Sequence, residues 1–320
     1  MRLLITGASG FIGSNLLDFF HNNGYIIDVI DLGQIVPYYV RMSYHWNDIE
    51  TINFNNYNAV IHLAGKAHDL NRKKSFEEYF NVNVGLTKII FTKFLNSNSL
   101  NFIYFSSIKA VAEVVQSSHV LTENVVPNPV GPYGKSKAFA EKFILDTMGD
   151  NPNILSNRNV YILRPCMIHG PGNKGNLNLL YGFVKMGLPW PLGKFNNLRS
   201  FTSLRNLEFI INSIIINNVN SGIYNICDSE ALSTNDIIKL ISESLGKKIV
   251  ILNISKSIIR FIAKVGDLLH LPFNTFKLQK LTENYIVNNS AIKNAIGITN
   301  LPVSGEEGIM ETINSFRIKK

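Results

Sequence analysis

The chain predicts an α/β protein, a doubly wound parallel sheet followed by a smaller C-terminal lobe. Three observations carry this. Short apolar runs alternate with amphipathic stretches through the first half. The first run meets a glycine-rich turn, "TGASGFIGS". After Pro165 the alternation gives way to turns rich in Gly, Pro and Asn. Strand and helix in alternation place helices on both faces of a parallel sheet, and strands covered on both faces read as unbroken apolar runs.

Taken in order, residues 2–6 (RLLIT) form the first strand and residues 11–23 a helix closed by Gly24, with residues 25–31 (YIIDVID) the second strand. Residues 57–65 are a buried strand, 80–97 a helix and 101–107 (NFIYFSS) a strand; a helix begins near Tyr133, and 159–165 is another strand. Past Pro165 lie "HGPGNKGN" and "GLPWPLGKFNN". A helix then starts at the N-cap Ser233, with Asp236 in the capping-box position. Residues 257–269 place Ile258, Ile259, Ile262, Val265 and Leu269 on one helical face, to be packed on the second lobe. The cations Lys256, Arg260 and Lys264 on the same helix also suit a membrane-surface element. The sheet domain is expected over 1–168, with a strand near 221–227 returning to it, and the substrate-binding lobe over 169–320.

Composition narrows the function. Apolar residues make up 46% of the 320 and charged residues 17%, as in a globular enzyme rather than a disordered chain. Two cysteines, Cys166 and Cys227, argue against a disulfide scaffold and fit a reducing, cytoplasmic setting. The opening "MRLLITGASG" runs straight into a turn and predicts no signal peptide, and no run approaches the roughly 18 apolar residues of a membrane span. The net charge of +8 comes without zinc-ligand spacing or an RNA-recognition signature, so nucleic acid is not the expected partner. Short basic clusters such as "NRKKS" at 71–75 are read as solvated surface.

Gly7, Gly10 and Gly13 fall between the first strand and the first helix. Glycines there let the backbone turn tightly and approach a pyrophosphate, whose charge meets the free N–H groups of the helix start. Asp31 ends the next strand, where a carboxylate accepts from an adenosine ribose and repels a 2′-phosphate. The pattern is that of a Rossmann-type dinucleotide site and favours NAD over NADP.

"VGPYGKSKAFAEK" carries Tyr133 and Lys137, four residues apart on one helical face. A free phenol titrates near ~10, too high for a base at neutral pH, and a neighbouring ammonium is expected to lower it. Ser107, at the end of a strand, supplies the third participant, a hydroxyl. Tyr181 and Lys185 repeat the spacing but follow the last parallel strand among turns, so Tyr181 reads as a packed aromatic.

These features resemble the short-chain dehydrogenase/reductase superfamily and its extended branch, the NAD-dependent epimerases and dehydratases. The triplet Gly-x-x-Gly-x-x-Gly is followed in order by "NDI", "HLAG", "FNVNVGLT", "YGKSK" and "LRPCMIHGPG". Leu86 stands where the branch has glycine, and His169 where it has tyrosine. By this resemblance Ser107, Tyr133 and Lys137 are the catalytic triad. NAD would contact Gly7, Gly10, Phe11, Ile12, Gly13, Asp31, Asp48, Ile49, Leu63, Ala64, Gly65, Asn83, Tyr133, Lys137 and Pro165. The substrate, a UDP-sugar, would contact Ser107, Lys109, Tyr133, Asn176 and Arg199, the last matching a phosphate-binding arginine; a plain surface arginine is the other reading. No metal is implied. The branch often forms homodimers through helices such as the one bearing Tyr133.

Within the branch, a 4,6-dehydratase has Asp-Glu after the strand-end hydroxyl, whereas Ile108 and Lys109 follow Ser107 here. Two reactions stay open, because both pass through a C4 ketone. One is 4-epimerisation of a UDP-hexose or UDP-N-acetylhexosamine with recycled NAD. The other is NAD(P)H-dependent 4-ketoreduction of a UDP-4-keto-6-deoxy-hexosamine for surface polysaccharide. Asp31 tilts the reading to the epimerase. A non-catalytic NAD sensor would not need the triad.

Overall fold

In the computed structural model, which describes residues 1–33, 37–67, 76–112, 120–150, 157–173, 175–217 and 219–318, the first half alternates strand and helix. The strands are β1 (Arg2–Thr6), β2 (Ile26–Asp31), β3 (Met42–His45), β4 (Ala59–His62) and β5 (Asn101–Phe105), with a short β6 (Val120–Leu121) and then β7 (Asn159–Pro165). Between them lie helices α1 (Phe11–Asn22), α2 (Phe76–Phe80), α3 (Leu86–Leu95) and α4 (Pro132–Asp150). The second half contributes β8 (Met167–His169), α5 (Asn176–Lys185), β9 (Phe201–Ser203), α6 (Leu204–Ile216) and β10 (Gly222–Ile226). It ends with α7 (Thr234–Ser244), α8 (Lys256–Leu268), α9 (Thr275–Thr282), β11 (Ile286–Val287), α10 (Ser290–Ile296) and α11 (Gly305–Ile318). The basic cluster 71–75 lies outside the described residues.

Seven strands pair in parallel in the order β10-β7-β5-β4-β1-β2-β3. The chain winds outward from β1 to β3 and then returns to the other side of β1 at β4. That reversal opens a crevice at the carboxyl ends of β1 and β4, where such sheets bind ligands.

Each face of the sheet has its own apolar core. On one, Leu3, Ile5, Leu16, Phe20 and Ile103 pack with Leu207, Ile210 and Ile214 of α6 and Ile292 of α10. On the other, Leu4, Val60, Phe102 and Tyr104 meet Phe91 and Phe94 of α3 and Ile144 of α4. Leu177, Trp190, Ile238, Ile259 and Ile309 anchor a third cluster among α5, α7, α8 and α11. Helix α7 starts with the expected box: Ser233 Oγ accepts from Asp236 N and the Asp236 carboxylate accepts from Ser233 N.

The structure departs from the sequence expectations at several elements. The strand read at 57–65 is confined to Ala59–His62, because Leu63–Gly65 turn out over the crevice. The helix read at 80–97 begins at Phe76 and ends at Leu95, and a π-helical turn at Asn81–Gly85 interrupts it. The strand β3 escapes the apolar pattern because its residues are exposed or half-buried. Helix α6 lies in a stretch outside the elements expected from the sequence, within the range expected to form the second lobe, yet it covers the sheet beside α1. In α8 only Ile259 of the expected apolar face is buried; Ile258, Ile262 and Leu269 are 53%, 47% and 60% exposed.

Candidate active site

The glycine turn is shaped by steric contact. Gly7 adopts φ +71°, and a Cβ there would lie 2.7 Å from Ala64 N. A Cβ on Gly13 would fall 2.5 Å from Gly7 O. Side chains at these positions would therefore push the first loop off the "LAG" turn and α1 off the loop. Gly10 caps α1, and Phe11 and Ile12 form its half-buried first turn. The result is a bare cradle with helical N–H groups at its floor, which fits a dinucleotide pyrophosphate.

Asp31 ends β2 and is 4% exposed. Its carboxylate accepts from Ser9 N at 2.7 Å, Ser9 Oγ at 2.9 Å and Leu32 N at 2.8 Å. The same side chain thus ties the glycine turn to β2 at the edge of the crevice. Asp48 lies on an exposed 3-10 turn, where it boxes with His45, while Ile49 turns into the core.

A polar relay that the motifs did not announce crosses the bottom of the crevice. Thr6 Oγ1 accepts from Ala64 N at 3.2 Å and donates to His62 Nδ1 at 2.7 Å. His62 Nε2–H then donates to Thr87 Oγ1 at 3.1 Å, and Thr87 donates to Asn83 O at 2.6 Å. This tautomer is the one that the neighbouring donors leave open. Burial, with Lys137 nearby, pushes the imidazole down to about 3, so it stays neutral. Asn83 sits in the π turn, where Oδ1 accepts from Lys66 N at 2.7 Å and Nδ2 donates to Ser136 Oγ at 2.8 Å. It joins the turn after β4 to the helix that carries Tyr133.

Ser107, Tyr133 and Lys137 converge beyond β5. Ser107 is 9% exposed, its Oγ accepts from Lys109 N at 3.2 Å, and its hydroxyl lies beside the Tyr133 phenol. Burial raises the phenol's pKa and the neighbouring Ser107 hydroxyl works against that. The expectation that Lys137 lowers it is corrected here, because the ammonium is directed elsewhere. Lys137 Nζ donates to Phe105 O at 2.6 Å and lies 4.9 Å from the Tyr104 ring centroid. Burial pulls this lysine down to about 8, while Glu141 acts to raise it. Gly65 passes over the ammonium; a Cβ there would stand 3.2 Å from Nζ.

Behind the triad is a buried ion pair. Glu141 accepts from Arg164 Nη2 at 2.6 Å and Nε at 3.0 Å, and from the Ser106 hydroxyl. Both charged side chains are 3% exposed. The sequence held one signal for it: Glu141 lies one further turn along the face that bears Tyr133 and Lys137.

The remaining expected residues are spread around the crevice and the second lobe. Pro165 is buried at the end of β7, Leu63 is half-buried and Ala64 buried after β4, and Lys109 is half-buried beside Ser107. Asn176 opens α5 and is exposed. Arg199 is no surface residue: it is 6% exposed, donates from Nη1 to Lys280 O at 3.0 Å, and its Nε lacks a protein partner. Burial lowers its pKa, with Glu283 opposing. Tyr181 packs edge-on against Phe316 at 5.4 Å in the second lobe, apart from β5. His169 is fully buried, bonded to Thr312 Oγ1 at 2.9 Å and Asp228 at 3.3 Å.

A doubly wound parallel sheet, a glycine cradle at the switch point and a Ser-Tyr-Lys cluster at the adjoining strand end define the extended short-chain dehydrogenase/reductase class. The chain matches the model of the NAD dependent epimerase/dehydratase family over residues 3–227 and belongs to that family, so it is an NAD-dependent enzyme. It is 28% identical over 256 residues to a UDP-glucose 4-epimerase of Vibrio cholerae, covering 77% of this chain and 76% of that protein. It is also 28% identical over 262 residues to the N-acetyl-alpha-D-glucosaminyl-diphospho-ditrans,octacis-undecaprenol 4-epimerase of Escherichia coli O157:H7, covering 78% and 73%. The solved structure of MoeE5 in complex with UDP-glucuronic acid and NAD shares the fold, with a TM-score of 0.75 at 21% identity over 100% of both chains.

Proposed function

We propose that this protein is a 4-epimerase of a UDP-hexose or UDP-N-acetylhexosamine. The observation that carries the reading is the convergence of Ser107, Tyr133 and Lys137 beside the glycine cradle. Bound NAD supplies the acceptor and donor of hydride at the sugar's C4. Tyr133, as the phenolate, takes the proton of the C4 hydroxyl, and as the phenol it gives the proton back when the ketone is reduced, with the Ser107 hydroxyl beside it. Lys137, drawn down to about 8 and held on Phe105 O beneath Gly65, is placed to donate to the nicotinamide ribose. Arg199, with a buried Nε free of protein partners, meets the diphosphate. Asp31 favours NAD over NADP, which suits a cofactor that stays bound.

Ile108 is buried and Lys109 half-buried directly after Ser107, so the acid pair of a dehydratase has no counterpart there. Helices α3 and α4 expose Ile89, Phe139 and Leu145, surfaces suited to a homodimer, whose mass light scattering would read.

The test is to incubate the purified protein with UDP-N-acetylglucosamine, without added nicotinamide, and separate the products. UDP-N-acetylgalactosamine is the expected outcome, and Tyr133→Phe should abolish it while NAD still binds. No conversion, together with NAD(P)H consumption on a 4-keto-6-deoxy sugar nucleotide, would replace the epimerase by a 4-ketoreductase.

A further inference from the structure

Helix α8 is built inside out. Ala263 and Gly266 turn inward with Ile259, whereas Ile258, Phe261, Ile262 and Leu268 point outward, Phe261 68% and Leu268 78% exposed. At 100° per residue the outward apolar side chains cover about 120° of the helix, and Lys256, Arg260 and Lys264 line its flank. Past the helix end Leu269, Leu271 and, on α9, Phe276 are exposed as well. It is held rigidly. A Cβ on Gly266 would meet Phe273 O at 1.9 Å, so α8 and α9 close on each other as a tight hairpin, and Asp267 accepts from Thr275 N at 3.3 Å.

We propose that this hairpin docks the protein on an anionic phospholipid bilayer. A helix face with Ile258, Phe261, Ile262 and Leu268 all exposed is rare on a monomer unless something covers it. The charges select the occupant: over residues 251–282, Lys256, Arg260, Lys264, Lys277 and Lys280 face a single carboxylate, Asp267. Lys280 is paired with Glu283, and Asp267 is taken up by Thr275 N. Arg260, Lys264 and Lys277 form no ion pair among the described residues. A second copy on this face would bring the two cationic flanks together, whereas lipid phosphates neutralise them and acyl chains take the apolar stripe. Among the described residues no helix is long and apolar enough to cross a membrane, so the contact lies in the interface plane. Helix α9 leads on to Arg199, which donates to its Lys280 carbonyl, so the docked hairpin adjoins the side chain proposed to meet the diphosphate.

The experiment is co-sedimentation of the full-length, NAD-loaded protein with vesicles of phosphatidylcholine, or of phosphatidylcholine with 30% phosphatidylglycerol. Binding to the anionic vesicles alone, weakening with salt, is the expected result. The double variant R260Q/K264Q should lower the partition coefficient about 30-fold. F261S/L268S should abolish binding, and both variants should keep the thermal midpoint because these side chains are exposed. Vesicle binding is read without turnover, so it is independent of the reaction proposed above. Protein left in the supernatant with both vesicle types would overturn the proposal. So would binding that neither variant alters, or a dimer that F261S/L268S dissociates without vesicle binding by the parent.

Discussion

Replacing Glu141 by Gln tests whether the buried ion pair behind the triad supports both the fold and Lys137. The carboxylate accepts from two nitrogens of Arg164 and from Ser106, and the pair is almost without solvent. Gln keeps the shape but removes the charge, and it turns an N–H₂ toward either the guanidinium or Ser106. Arg164 Nη1 already lacks a protein partner, so the stranded guanidinium has no alternative acceptor nearby. Breaking one side of a buried pair costs about 3–5 kcal/mol, which lowers the thermal midpoint of a domain this size by on the order of 10 °C. A second effect falls on Lys137, because Glu141 is the neighbour that raises its pKa. In Glu141→Gln the ammonium should lose its proton at lower pH, moving the alkaline limb of kcat down from the parent's. Calorimetry and a pH–rate profile read the two effects separately. The double variant Glu141→Leu with Arg164→Met should recover most of the stability, since no charge is then stranded, but not the pH profile. A Glu141→Gln protein within about 1 kcal/mol of the parent, with an unshifted profile, would refute the reasoning.

Three further outcomes follow from the geometry. Gly7→Ala should cost about 2–4 kcal/mol, from the left-handed φ and a Cβ 2.7 Å from Ala64 N, and abolish NAD binding by titration calorimetry. Asp31→Asn should weaken NAD about 10-fold or more through loss of a charged hydrogen bond, and narrow the gap to NADP; titrating both cofactors measures this. Lys137 titrates at about 8 in the fold against 10.5 ordinarily, so between those values the unfolded chain binds more protons. Stability should therefore rise with pH from about 8 to 10, by up to about 3 kcal/mol for this group, before buried phenols such as Tyr57 and Tyr285 oppose it. Urea unfolding of Lys137→Met should show that slope removed.

The sequence by itself determined the parallel sheet, the glycine cradle and the positions of Ser107, Tyr133 and Lys137. These are local: apolar runs between helices, glycines where a Cβ meets backbone, and two side chains one helical turn apart. It also gave the capping box at Ser233 and Asp236, whose partners are three residues apart. Only the tertiary structure decided the rest, because it depends on residues distant in the chain. The relay from Thr6 through His62 and Thr87 to Asn83 joins two strands to a helix, and the π turn at Asn81–Gly85 that places Asn83 leaves no mark in the apolar period. Arg199 became a buried donor, and His169 a member of a core network with Asp228 and Thr312, through elements far from either. The face of α8 is the clearest case. Its periodicity announced an apolar stripe, but which stripe points inward was set by Gly266 against Phe273, a contact between the helix and the loop that follows it.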